Sequence, residues 1–145
     1  MTEQASEQIT IDASPEQVFD TALDFERYPE WAADIKEVKV LERDEDGRGT
    51  RVSYRAAAMG RSAHYTLVYE YDEAPLSMRW VLAEGDIMRR LDGEYVFEPS
   101  DGGATEVTYR LAVDLVIPLP GFIKRRAEGT IMGTALRELK KRVEG

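Results

Sequence analysis

The sequence contains no cysteine and a single histidine, His64. That removes disulfide frameworks, thiol nucleophiles and cysteine zinc sites together, and leaves a first-row metal site little to work with. Basic charge is in deficit: 19 Lys and Arg stand against 28 Asp and Glu, a formal net charge of -9, so there is no chain-wide footprint for nucleic acid. No apolar run approaches the roughly 20 residues that cross a bilayer, and the opening MTEQASEQITIDA has neither a basic n-region nor an apolar h-region. G-x-S-x-G, G-x-G-x-x-G and Walker signatures are also missing, so serine-nucleophile and nucleotide-loop chemistry have no support. The expectation is a soluble, cytoplasmic protein with no cofactor, no metal and no nucleic-acid partner.

What the sequence does contain is one domain's worth of chain. Its 145 residues, 43% hydrophobic and 32% charged, have globular composition, and a chain of this size buries about 70% of its unfolded surface. No repeat or low-complexity linker interrupts it, so residues 1–145 are read as a single domain. Residues 5 to 13 alternate, with Ile9, Ile11 and Ala13 opposite Gln8, Thr10 and Asp12, which predicts a first strand. Ser14 reads as a helix N-cap, with Pro15 and Gln17 at the first and third helical positions, opening a helix through about Asp24. Tyr28-Pro29-Glu30-Trp31 predicts a bent, aromatic second helical turn, because proline disfavours helix at the residue before it.

From about Ile35 to Leu115 the period is two, broken at Asp46-Gly47, Met59-Gly60, Ala74-Pro75, Glu84-Gly85 and Asp101-Gly102-Gly103. Six more strands joined by hairpins follow from that. Arg51, Arg55, Arg79, Glu94, Glu98, Arg110 and Asp114 occupy the polar positions, so one sheet face is wet, and His64 falls on that outward side. After Pro118 and Pro120 a last helix runs from about Phe122 to Val143, and residues 121–145 carry seven basic and three acidic side chains. Lys140, Lys141 and Arg142 near its end suit the helix dipole.

A strand, a helical pair, six consecutive antiparallel strands and one long helix require the sheet to wrap around that helix. The class is α+β, a helix-grip plan with a seven-stranded curved antiparallel sheet, two short helices and a long C-terminal helix. Here the sequence resembles the START-like superfamily, also called SRPBCC, in its polyketide cyclase/dehydrase and coenzyme Q-binding-like branch. The resemblance lies in Ile9-Thr10-Ile11-Asp12-Ala13-Ser14-Pro15-Glu16-Gln17-Val18-Phe19, in Tyr28-Pro29-Glu30-Trp31, in Gly93-Glu94-Tyr95-Val96-Phe97 and in the helix opening Gly121-Phe122-Ile123-Lys124-Arg125-Arg126-Ala127-Glu128. It implies a cavity between sheet and helix for a sterol, lipid, quinone, plant hormone or polyketide, with catalysis in some members only. Aromatase/cyclases of the superfamily use an inward arginine with tyrosine or serine hydroxyls to polarise a carbonyl. Arg55 and Arg79 point outward on the alternation, which leaves Arg125 as the candidate for that role.

At 100° per residue, Met132, Ala135, Leu136, Leu139 and Val143 form one stripe that must face the sheet, and extending it brings Arg125 and Glu128 into the same arc. Either these two form an ordinary rim pair three residues apart, or they supply polar groups to an apolar pocket. Gly129 and Gly133 each cost about 1 kcal/mol relative to alanine in a helix, which implies close packing on the sheet or room for a ligand. Trp31, Tyr54, Tyr65, Tyr69, Trp80, Tyr95, Phe97 and Tyr109 fall on inward faces. Buried tyrosine hydroxyls need partners, so several on one concave face suggest a pocket dotted with polar atoms.

The expected ligand contacts are therefore those eight aromatics with Arg125, Glu128 and Met132, and the expected partner is a hydrophobic small molecule. At most a transient membrane contact through Leu119, Phe122 and Lys124 is added, since a basic apolar edge suits anionic lipid; closure of the core by Leu119 and Phe122 accounts for the same residues. Three functions stay open: a carrier of a lipid, quinone or polyketide-like compound, a cofactor-free cyclase/dehydratase, and an interaction module with a collapsed cavity.

Overall fold

The computed structural model describes residues 5–58, 61–117 and 119–145. The expected turn at Met59-Gly60, the helix-preceding Pro118 and the first four residues lie outside the described residues. Strand β1 (Ala5–Ile11) leads into α1 (Pro15–Leu23), a 3-10 turn (Phe25–Arg27) and α2 (Tyr28–Trp31). The strands β2 (Ile35–Arg43), β3 (Gly49–Ala58), β4 (Arg61–Glu73), β5 (Leu76–Gly85), β6 (Met88–Pro99) and β7 (Thr105–Leu115) follow, and α3 (Gly121–Glu144) closes the chain. The sheet order is β1-β7-β6-β5-β4-β3-β2, with every neighbouring pair antiparallel.

Local chemistry accounts for the boundaries. Ser14 is the N-cap of α1, its Oγ accepting the Gln17 backbone N–H at 3.2 Å, which satisfies one of the free donors at the helix start. The first strand stops at Ile11, two residues short of the expected end, because the backbone turns at Ala13, whose N–H donates to Ile11 O at 2.9 Å. Between β2 and β3 the Asp44 carboxylate accepts the backbone N–H groups of Asp46 and Arg48 at 2.9 and 3.0 Å, and Gly47 takes the positive φ of 82° that the turn demands. Gly85 still belongs to β5, so the expected turn at Glu84-Gly85 moves to Asp86 and Ile87.

Alternation then sorts the two sheet faces. The concave face presents Val52, Tyr54, Leu67, Tyr69, Met78, Trp80, Tyr109 and Leu111, all buried. The convex face carries cross-strand ion pairs, Arg55 to Glu37 at 3.0 Å, Arg110 to Glu94 at 2.8 Å, and Arg79 to Glu70 at 3.2 Å and to Asp72. Such solvent-facing pairs contribute about 0–1 kcal/mol each, so the stability of the sheet comes from its concave side.

The long helix is anchored unevenly. Met132, Leu136 and Leu139 are buried against the sheet, while residues 121–127 are exposed except for half-buried Lys124. Near its end Lys140 donates to Thr10 O at 2.8 Å and Glu144 accepts the Asp12 N–H at 2.8 Å, fastening α3 to the end of β1 and the residue beyond it. Among the described residues no helix is long and apolar enough to cross a membrane.

Candidate functional site

The concave face, α2 and the middle of α3 enclose a cavity of about 270 Å³. Its walls are mostly aromatic: Tyr28 and Trp31 from the α2 turn, Tyr54, Tyr65 and Tyr69 from β3 and β4, Trp80 from β5, Tyr95 and Tyr109 from β6 and β7. Met78, Met88 and Leu91 fill between them, and Thr130, Ile131, Thr134, Ala135 and Glu138 form the helix wall. The rings touch in sequence, with Tyr54 stacked on Tyr65 at 5.1 Å between centroids, Tyr69 against Trp80 at 5.7 Å, and Tyr95 against Tyr109 at 4.5 Å.

The polar atoms in this apolar shell are few and divided into two sets. Tyr54 and Tyr69 share a hydrogen bond at 2.5 Å between their hydroxyls, and Tyr28 donates to Ala22 O at 2.5 Å. The hydroxyls of Tyr65, Tyr95 and Tyr109 have no protein partner among the described residues, and no fully enclosed side-chain polar atom there is left unpaired. Those three hydroxyls therefore open onto the cavity space. Desolvation by burial pushes the phenols of Tyr28, Tyr54, Tyr69, Tyr95 and Tyr109 well above the usual tyrosine value, and that of Tyr65 upward for the same reason. They are neutral donors and acceptors at physiological pH, not phenolate bases.

Charge enters only at the mouth. Asp34 and Glu138 are the ionisable lining residues besides the phenols, and among the described lining residues there is no Lys, Arg or His. Glu138 accepts the Ala33 N–H at 3.1 Å, and Arg142 reaches Glu30 at 3.0 Å, so two contacts tie α3 to the segment around α2 beside the opening.

Seven of the expected contact residues, Trp31, Tyr54, Tyr65, Tyr69, Trp80, Tyr95 and Tyr109, meet at this cavity. Four do not. Phe97 is buried behind it, edge-on to Phe19 at 5.6 Å, and Met132 is core. Arg125 is exposed and lines neither of the two cavities, because the first turns of α3 turn other residues towards the sheet. Glu128 points inward at 2% exposure, yet it accepts the Val113 N–H at 3.0 Å. The carboxylate thus joins the middle of α3 to the end of β7. Close packing does not explain Gly129, where an added Cβ meets nothing within 4 Å. At Gly133 it meets only the Arg137 guanidinium of the same helix. His64 is exposed on the convex side beside Asp86, 3.3 Å from ring Nδ1 to carboxylate.

Sequence reasoning missed Tyr28, the methionines and the polar helix wall. Thr130, Thr134 and Glu138 are spaced by four, a polar stripe running alongside the apolar one, and that spacing was the available signal.

A second cavity of about 640 Å³ adjoins the first. It lies between the start of β6, the end of β7 and the exposed half of α3, and it shares Met88, Leu91 and Ile131 with the aromatic cavity. Leu119 and Lys124 line it, with Lys124 Nζ 2.6 Å from Asp114, while Phe122 beside it is 64% exposed.

A family model described as polyketide cyclase / dehydrase and lipid transport matches residues 2–144. Proteins of curated function give no match. Among solved structures, a START superfamily protein from Mycobacterium smegmatis superposes with a TM-score of 0.90 at 24% identity, over 97% of each chain. A protein from Thermus thermophilus is similar at 28% identity and a TM-score of 0.80, again over 97% of each chain. The Zhui aromatase/cyclase from Streptomyces sp. R1128 has a TM-score of 0.82 at 14% identity, over 99% of this chain and 94% of that one. The first and last likenesses concern the fold alone.

Proposed function

The chain belongs to the polyketide cyclase/dehydrase and lipid transport family, and from that premise we propose that it binds and carries a hydrophobic small molecule in the cavity between sheet and α3. The observation that carries this reading is the pairing of an aromatic shell with three hydroxyls, Tyr65, Tyr95 and Tyr109, that have no protein partner among the described residues. In a collapsed dry core these three phenols would be unpaired and buried, at a cost of about 1–3 kcal/mol each. A ligand with a few oxygen atoms on an apolar body satisfies them and takes the aromatic contact area at the same time.

A cofactor-free cyclase/dehydratase is the alternative. It needs a strong donor where an enolate develops, and Arg125, the expected donor, is exposed and absent from the lining. The donors in the described lining are uncharged phenols, threonine hydroxyls and indoles, which supports carriage over catalysis.

Native mass spectrometry of the protein purified from its expression host, with lipid extraction, tests the reading. The expected result is a stoichiometric apolar molecule that an Ala135→Trp variant, its indole filling the cavity, no longer retains. A clean apo mass, with no thermal shift across lipid, quinone and aromatic polyketide panels, overturns it in favour of an interaction module.

A further inference from the structure

The aromatic cavity is small for its proposed task. Sites for drug-sized molecules run to about 300–1,000 Å³, and about 270 Å³ falls below that range. The adjoining cavity supplies the missing space, and Met88, Leu91 and Ile131 belong to both linings. Met88 is unbranched and adapts its shape readily, so the wall between the two spaces is a yielding one.

The two spaces differ in charge. The aromatic cavity has no cation in its described lining, whereas the second is apolar at its base, through Ile87, Leu115 and Ile123, and carries Arg89, Arg90 and Lys124. Asp114 is the one acidic residue among its lining residues; it takes Lys124 at 2.6 Å and Arg90 at 3.7 Å. Arg90 also lies 3.8 Å from Asp92, while Arg89 has no ion pair among the described residues. A chain with a net charge of -9 thus places an excess of positive charge beside an open apolar groove. That arrangement complements an anion attached to an apolar body.

We propose that the two cavities form one bipartite site for a monomeric amphiphile, its apolar body among the tyrosines and a single anionic group, such as a carboxylate, at Arg89, Arg90 and Lys124. This rests on the carrier reading and adds the ligand's charge and shape to it. The test is displacement of the neutral dye N-phenyl-1-naphthylamine from the full chain by dodecanoate and by 1-dodecanol, both kept monomeric. Dodecanoate is expected to compete at least about tenfold more strongly, close to 1.4 kcal/mol, with the advantage shrinking as salt is added. R89Q, and the double variant R89Q/K124Q, are expected to bring the acid down towards the alcohol; both replace side chains outside the core, and a melting curve verifies that each folds.

Equal competition by acid and alcohol overturns the bipartite site and leaves the carrier reading standing. Failure of the dye and of both competitors to bind overturns the two together. An acid preference untouched by R89Q/K124Q removes the assignment to these cations. Sedimentation with phosphatidylserine-containing vesicles, without any preference between monomeric acid and alcohol, overturns the proposal and identifies the groove as a membrane-docking face.

Discussion

Trp80 and Gly93 stand opposite one another in the β5–β6 ladder, and the indole occupies the space where a side chain on Gly93 would begin. A Cβ there would lie 2.7 Å from Trp80 Cζ2 and 2.6 Å from the backbone oxygen of Arg110. The missing methyl is what lets the indole lie across the strand and form a cavity wall. Gly93→Ala must therefore move backbone as well as the ring. It is expected to destabilise by about 1–3 kcal/mol, read as a lowered denaturant midpoint, and to change tryptophan fluorescence.

The Tyr54 and Tyr69 hydroxyls depend on each other, being buried and joined at 2.5 Å. Removing one leaves the other unpaired, at about 1–3 kcal/mol; removing both leaves nothing unsatisfied. Y54F and Y69F are each expected to destabilise, and Y54F/Y69F by clearly less than their sum. A double-mutant cycle in denaturant measures the coupling.

All seven tyrosines have phenols pushed above their usual value, with burial as the largest cause in each. Where the folded value is raised, the stabilising contribution is intact below the unfolded value near 10 and is lost as pH climbs past it. Each fully buried phenol removes up to about 1.4 kcal/mol per pH unit in that window. The expected outcome is cooperative alkaline unfolding in which phenolate absorbance rises together with the loss of far-UV circular dichroism. Phenolate absorbance rising gradually from pH 10 in a still-folded chain contradicts it.

Gly129 sits in a helix with open space where a side chain would be. Gly129→Ala is expected to stabilise by about 1 kcal/mol, which for a chain of this size raises Tm by about 2–4 °C. Calorimetry measures this directly, and an unchanged or lowered Tm shows that the glycine serves something other than helix stability.

The fold was legible because its signals are local. The Ser14 cap, the alternation through β2 to β7 and the proline-marked entry to α3 each act over a few residues, and hairpins between neighbouring strands leave little choice of topology. The aromatic wall was legible too, since strand parity decides which face a tyrosine occupies. Arg125 and Glu128 were not, because helix phase tells direction and not what stands opposite. One turn of α3 leaves Arg125 exposed and the next brings Glu128 to a strand amide, and that difference lies in which part of the sheet each turn meets.

The contacts that fasten β1 to β7 and α3 to the β1 segment connect distant parts of the chain. Gln8 bonds Thr108 across 100 residues, Lys140 meets Thr10 across 130, and Asp12 meets Glu144 across 132. Hairpin contacts between β2 and β7 are short-range by comparison, and long-range closure carries the larger entropic cost and slows folding. Contact separation therefore predicts that the meander forms its aromatic concave face before β1 and α3 cover it. A concave face left open in that interval would be the species most exposed to aggregation or to premature capture of an apolar molecule.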